Sequence, residues 1–237
     1  MSKSDAPPPA KPPLTPRSLQ ALGIAIVATI ALLGADLGSK EWASSALSME
    51  HPGTPPAVCE TPGRNQRIRT EPFVMIPGYL EMSYAENCGA AFGLLNNAPD
   101  TVRIGLFGLA AVAATLILFF MFYQGRGGPW FAYSVPLIVA GAVGNLIDRI
   151  RLGYVVDFIR FHLEDGWEYP TFNVADITIT VGVAMLVIDG FIQEKKEKER
   201  AAETEKAEAA PAPSSGKRGK KKRKRPSAED ADAARES

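Results

Sequence analysis

The sequence predicts an all-α integral membrane protein, with four transmembrane helices and a small extracytoplasmic β-rich cradle between helices 1 and 2. Three observations predict it. Four segments, residues 19–35, 102–123, 130–147 and 174–192, are almost continuously apolar, and about 20 such residues carry a helix across a bilayer. Each is apolar all round, which suits contact with lipid better than one face of a soluble core. Both ends of the chain, by contrast, are Pro-rich or charged, so the net charge of zero averages over unlike regions.

Taken in order, residues 1–18, with Pro7-Pro8-Pro9 and Pro12-Pro13, read as a disordered cytoplasmic lead-in. The first span leads into Asp36 and Lys40 and not into an Ala-x-Ala site, so it reads as a retained helix and not a cleaved signal peptide. The connection over about 41–100 opens with Pro52, Pro55, Pro56, Pro62 and Gly63, an irregular loop. Its second part, Phe73-Val74-Met75-Ile76 and then 79–84, reads as short strands broken at Pro77-Gly78. The second span is the cleanest. A short connection with Arg126 joins it to the third, after which a short turn leads to Asp157, and Asp176 opens the fourth. Residues 19–193 thus make one membrane domain.

Residues 194–237 carry too little apolar surface to fold alone. They hold the cluster Lys217-Arg218-Gly219-Lys220-Lys221-Lys222-Arg223-Lys224-Arg225. On a cytoplasmic tail leaving a membrane helix, anionic lipid headgroups are its simplest partner and nucleic acid is not expected; a solvated tail without a partner stays open. Lys3, Lys11, Arg17, Arg126 and the basic tail place both termini in the cytoplasm. Arg149, Arg151 and Arg160 then lie on the outer side, against the same rule, which points to site roles for some of them.

The chemistry is expected from polar residues beside the spans. A central Asp or Arg costs roughly 2.5–3.5 kcal/mol by insertion scales. Asp157 and Asp176 each sit next to an outer span end, and the loop between antiparallel helices lets them meet there. Two carboxylates in one site do not readily both ionise, so the pair holds one proton and titrates as a unit. One then activates a water while the other polarises a peptide carbonyl. A helix N-cap is the bland alternative for Asp176, but it leaves Asp157, Asn173, Asn145 and Arg149 unexplained. Asn87, Asn145 and Asn173 offer hydrogen bonds without burying charge. Arg149 can pair with Asp148, or hold a carboxylate or carbonyl. Asp36 and Lys40, at i and i+4, read as a structural ion pair, and Gly89, Gly141 and Gly144 permit close backbone approach. Asp189 reads as snorkelling to the cytoplasmic interface, and Glu164, Asp165 and Glu168 as facing water.

Two cysteines and two histidines offer neither a disulfide framework nor a metal cluster, so no metal and no cofactor is expected. A bridge between Cys59 and Cys88 is open, with nothing else in the sequence arguing for it. Neither Gly-x-Ser-x-Gly nor His-Glu-x-x-His occurs. A transporter would spread polar groups through span depth, and a mere anchor would not need them.

Five runs carry a resemblance. Asp36-Leu37-Gly38-Ser39-Lys40, Asn87-Cys88-Gly89-Ala90-Ala91-Phe92-Gly93, Gly141-Ala142-Val143-Gly144-Asn145-Leu146-Ile147-Asp148-Arg149, Gly153-Tyr154-Val155-Val156-Asp157-Phe158 and Phe172-Asn173-Val174-Ala175-Asp176 resemble, in order, the motif boxes of bacterial lipoprotein signal peptidase (signal peptidase II). The resemblance covers residues 19–192. It implies a four-helix aspartic endopeptidase of the bacterial inner membrane, acting near the outer face. Such enzymes cut the signal peptide from diacylglyceryl-modified prolipoproteins just before the lipid-bearing cysteine. It implies Asp157 and Asp176 as the catalytic dyad, with Asp36, Lys40, Asn87, Gly89, Asn145, Asp148, Arg149 and Asn173 in support. A loop over 87–95 closing the site is a further expectation.

Overall fold

The computed structural model describes residues 15–59, 65–89 and 99–209. Helix α1 is Leu19–Ala46, started by Ser18, whose hydroxyl accepts from the Ala21 amide at 3.2 Å. Strands β1 (Ser48–Glu50), β2 (Arg67–Arg69), β3 (Phe73–Ile76) and β4 (Leu80–Asn87) follow, then α2 (Asp100–Tyr123), α3 (Pro129–Leu152), β5 (Val155–Phe161) and α4 (Val174–Ala209). Four of these helices are long and apolar enough to cross a membrane. The chain divides into two units; everything described below lies in Ala10–Lys198, and the described part of the other is the end of α4.

Helix α3 is built with clear ends. Pro129 stands in its first turn, where no amide partner is lost. Arg149 and Arg151 in the last turn oppose the carbonyl end of the dipole. Gly153 closes it at φ 83°, a left-handed conformation that glycine adopts without strain. Of the apolar window of α3, 44% is buried, against 6% in α1 and in α2, so α3 is the helix the others pack around. The apolar faces of α1 and α2 are left for lipid, with Val27, Ile30, Leu109 and Leu116 all exposed.

The four helices and the small antiparallel β part are present, with β3 and β4 where strands are expected, but the sheet is not confined to the connection between the first two helices. β1 and β2 pair antiparallel, whereas β3, β4 and β5 form a second sheet in that order, and β5 comes from the connection between α3 and α4. Asp157 therefore sits inside a strand, opposite Ala85, with Val155 opposite Asn87. Alternation along β5 sends Val156 and Phe158 to one face, where they pack with Ala43, Leu47, Tyr84 and Tyr154. Asp157 is left on the other.

One open question is answered and one expectation changes. Cys59 and Cys88 are joined by a disulfide. Asp189 does not snorkel: it is buried, and its Oδ2 accepts from the Gly128 amide at 2.8 Å, tying α4 to the turn that starts α3. The first helix runs on past Asp36 to Ala46 and the third past Ile147 to Leu152. The polar runs 36–40 and 141–149 thus lie within continuous helices. Residues 1–14, the loop over 90–98 and the basic cluster beyond 209 lie outside the described residues.

Candidate active site

Asn173 organises the site. It immediately precedes α4, and its Oδ1 accepts from the Asp176 amide at 3.0 Å while the Asn173 amide donates to Asp176 Oδ2 at 3.2 Å. These reciprocal bonds make a capping box, which satisfies two amides at the helix start. Asp176 is therefore part of the cap and also of the site. The Asn173 side chain turns its Nδ2 to Asp157 Oδ1 at 2.6 Å. One residue so bonds both carboxylates, Asp157 through its side chain and Asp176 through its backbone amide.

Each carboxylate has a second amide donor. Asn87, at the end of β4, donates through Nδ2 to Asp157 Oδ2 at 2.9 Å. Asn145 on α3 donates through Nδ2 to Asp176 Oδ1 at 2.9 Å. Neutral amides hold the carboxyl groups without adding charge to a buried site. Asp157 is 1% exposed, and this burial, with the charge of Asp176 next, pushes its pKa up to about 7 against the bonds from Asn87 and Asn173. Asp176 is only partly buried. The pair thus differs in environment, one acid enclosed and its neighbour open enough to meet water.

Behind the amides lies a buried ionic network. Lys40 Nζ donates to Asn145 Oδ1 at 2.9 Å, and it stands 2.9 Å from Asp36 and 3.1 Å from Asp148. The expected Asp36–Lys40 pair is present, but it does more than hold a helix end: it sets the Asn145 amide that faces Asp176. The acids are anchored in turn by backbone. Asp36 Oδ1 accepts from the Ala175 amide at 2.8 Å, and Asp148 Oδ2 from the Val156 amide at 3.2 Å. Asp148 pairs with Lys40, and Arg149 donates to two carbonyls. Its NH1 donates to Asn145 O at 3.1 Å and its NH2 to Gly89 O at 2.9 Å. Its guanidinium also stacks 4.3 Å over the Phe107 ring of α2.

Glycines let these elements close up. A Cβ at Gly144 would overlap Asp36 Oδ2, and one at Gly141 would lie 2.5 Å from Ala175 O and 2.6 Å from Thr178 Oγ1. Gly89 donates its amide to Asn87 Oδ1 at 3.0 Å. All ten residues singled out as site residues therefore meet in one hydrogen-bonded assembly. Arg160 stands apart, paired with Glu81 and Glu168. A cavity of about 550 Å³, lined by residues including Lys40, Asp148, Arg67 and Arg151, lies beside the ionic network and touches neither dyad acid. Phe107 was missed in the sequence, since one aromatic among many apolar span residues carries no signal. Among the described residues no three His, Cys, Asp or Glu side chains converge as metal ligands.

A family model described as signal peptidase (SPase) II matches residues 28–192. The chain belongs to that family. It is a peptidase, and the aspartic arrangement above is consistent with membership. A lipoprotein signal peptidase of Pseudomonas fluorescens is 43% identical over 123 residues, 52% of this chain and 72% of the relative. One from Clostridium tetani is 38% identical over 130 residues, 53% of this chain and 81% of the relative. One from Oleidesulfovibrio alaskensis is 36% identical over 151 residues, 64% and 83% respectively. A solved bacterial membrane enzyme at 24% identity has the same fold, with a TM-score of 0.57 over 75% of this chain and 92% of its own. Signal peptidase II membership and the four long apolar helices make this a multi-pass bacterial membrane protein.

Proposed function

We propose that the chain is a membrane aspartic endopeptidase that removes signal peptides from diacylglyceryl-modified prolipoproteins, cleaving before the lipid-bearing cysteine with Asp157 and Asp176 as its dyad. The observation that carries the reading is the pair of acids bridged by one asparagine and gripped separately by Asn87 and Asn145. The substrate class comes from the relatives, whose name is lipoprotein signal peptidase.

The chemistry follows from the two environments. Asp157, with its raised pKa, holds the shared proton near neutral pH. It donates that proton to the scissile carbonyl oxygen while Asp176 takes a proton from a water whose oxygen bonds to the carbonyl carbon. The tetrahedral diol collapses as the C–N bond breaks. Asp176 passes its proton to the leaving nitrogen, and a diol hydroxyl returns one to Asp157. Asn173, Asn87 and Asn145 hold both acids in place throughout, which is the contribution of positioning. The acyl chains of the substrate cysteine lie in membrane lipid and fix the bond at the interface.

We place the site near the outer face of the inner membrane, with both termini cytoplasmic. The basic flanks support this, as does the Cys59–Cys88 bridge, since disulfides persist in oxidising compartments. Contact of the basic tail with anionic headgroups belongs to the same proposal. The deciding test is cleavage of a diacylglyceryl-modified prolipoprotein by purified protein beside Asp157→Asn and Asp176→Asn. Wild type alone should cleave, before the lipid-bearing cysteine, with each variant down on the order of 10⁴-fold. Equal cleavage by a folded Asp157→Asn variant would overturn the dyad.

A further inference from the structure

The disulfide lies just past the end of the β4–β5 pair that carries Asn87 and Asp157. Cys88 stands between Asn87, which donates to Asp157, and Gly89, whose carbonyl accepts from Arg149. The ladder between β4 and β5 ends at Asn87↔Val155, so the sheet no longer holds the backbone at 88 and 89. The segment carrying Cys59 is itself anchored. Val58 and Cys59 pack on the cluster of Tyr84, Tyr154, Val156 and Phe158. The Gln66 side chain donates to Pro56 O, and the Gln66 and Arg67 amides donate to the Glu86 carboxylate at 2.7 and 3.0 Å. Cys59 sits at φ 59°, a left-handed conformation that costs a non-glycine residue energy and persists only where the surroundings hold it.

We propose that the Cys59–Cys88 disulfide is a positioning element of the active site, holding Asn87 and Gly89 against Asp157 and Arg149. The inference rests on the reading of Asp157 and Asp176 as the dyad. The bridge ties Cys88, just past the end of β4, to the Val58–Cys59 segment packed on the core cluster, closing a sequence separation of 29. With the bridge open, Asn87 keeps its strand pairing but loses the clamp on its C-terminal side. Its side chain then samples poses that leave Asp157 Oδ2 without a donor. Opening needs an external dithiol: its thiolates attack the S–S bond, two electrons and two protons pass to Cys59 and Cys88, and the dithiol leaves as a cyclic disulfide.

The test uses the full chain in proteoliposomes, oxidised, treated with a dithiol, and then reoxidised, beside Cys59→Ser/Cys88→Ser. Thiol mass-tagging counts open bridges, and near-ultraviolet dichroism follows the folded fraction. Opening should lower kcat about tenfold, within what a small misplacement costs, with KM little changed and reoxidation restoring the rate. The Gly89 amide, bonded to Asn87 Oδ1, should exchange its hydrogen faster once the bridge is open. An open bridge with unchanged kcat would overturn the proposal, as would a rate that falls only with the folded fraction. Should the thiol form unfold at the assay temperature, the double Ser variant is measured below its own melting transition under the same criteria. Should oxidised wild type fail to cleave, it is the peptidase reading that fails. Gly89 exchange, which needs no substrate, then decides: acceleration supports the clamp and unchanged exchange removes it.

Discussion

Asn173 has two tasks that a substitution can separate. As the residue before α4 it caps the helix through Asp176, and as a side-chain donor it holds Asp157. Asn173→Ala should cost about 1 kcal/mol of stability, the usual worth of an N-cap. The loss of turnover should be far larger, because Asp157 loses its Nδ2 donor while the backbone bond from residue 173 to Asp176 Oδ2 remains; thermal melts and single-turnover rates on one preparation check the split. The proton on Asp157 makes a second prediction. Its pKa is raised from 3.8 to about 7 by burial first and by Asp176 second. The folded protein therefore binds this proton more tightly than the unfolded chain. The stability it contributes is full below 3.8 and is lost as pH rises through about 7. Activity that needs the shared proton should fall across the same upper limb, and a pH–rate profile with no decline around or above neutrality would count against Asp157 as the donor. That these ten residues belong together was legible in the sequence, because amides and acids among apolar residues are conspicuous. What was not legible was who pairs with whom: Asp148 goes to Lys40 and not to its neighbour Arg149, a choice set by the helix face and invisible in a string.

At the scale of elements, the site is a junction of four pieces: the second half of α1, the end of α3, the β4–β5 pair and the start of α4. Their closeness depends on small residues. Gly141 lies against the backbone of Ala175 and the side chain of Thr178 on α4. Gly141→Ala would force α3 and α4 apart in a helix pair where close approach is the means of association. The expected cost is about 1–3 kcal/mol of overpacking. Turnover should fall as well, since Asn145 on α3 would move from Asp176 on α4. A Gly141→Ala variant with unchanged melting and rate would show that the contact relaxes elsewhere. The helices were legible from their apolar length alone. β5 was not, because Val155-Val156-Asp157-Phe158-Ile159 is too short to announce itself beside a span end, and it becomes a strand by pairing with the distant β4, Asn87 opposite Val155 and Leu80 opposite Phe161. The disulfide was equally hidden, since two cysteines give no framework to read. Asp189 was misjudged for the same reason: its partner is an amide in the turn before α3.

For the molecule as a whole, the question is how much of the chain the chemistry needs. The family match ends at residue 192, and every site residue lies in the unit Ala10–Lys198. The apolar part of α4 ends near the same place; beyond it the helix carries Glu194, Lys195, Lys196, Glu197 and Lys198, with the Lys198–Glu194 pair on its exposed side. Such an exposed i,i+4 pair is screened by water and contributes little. It supports the helix locally and transmits nothing to Asp176 at the opposite end. A chain ending at about Arg200 should therefore keep kcat and KM within about twofold in detergent, where no anionic surface competes. In vesicles of anionic lipid, full-length protein should gain in surface attachment while the rate per folded enzyme stays the same, because headgroup contact acts on the tail and not on the dyad. Parallel assays of both lengths in detergent and in anionic vesicles check this. A truncated enzyme that is folded yet slow in detergent would make the tail part of the catalytic machinery, in conflict with the self-contained hydrogen-bond assembly around Asn173.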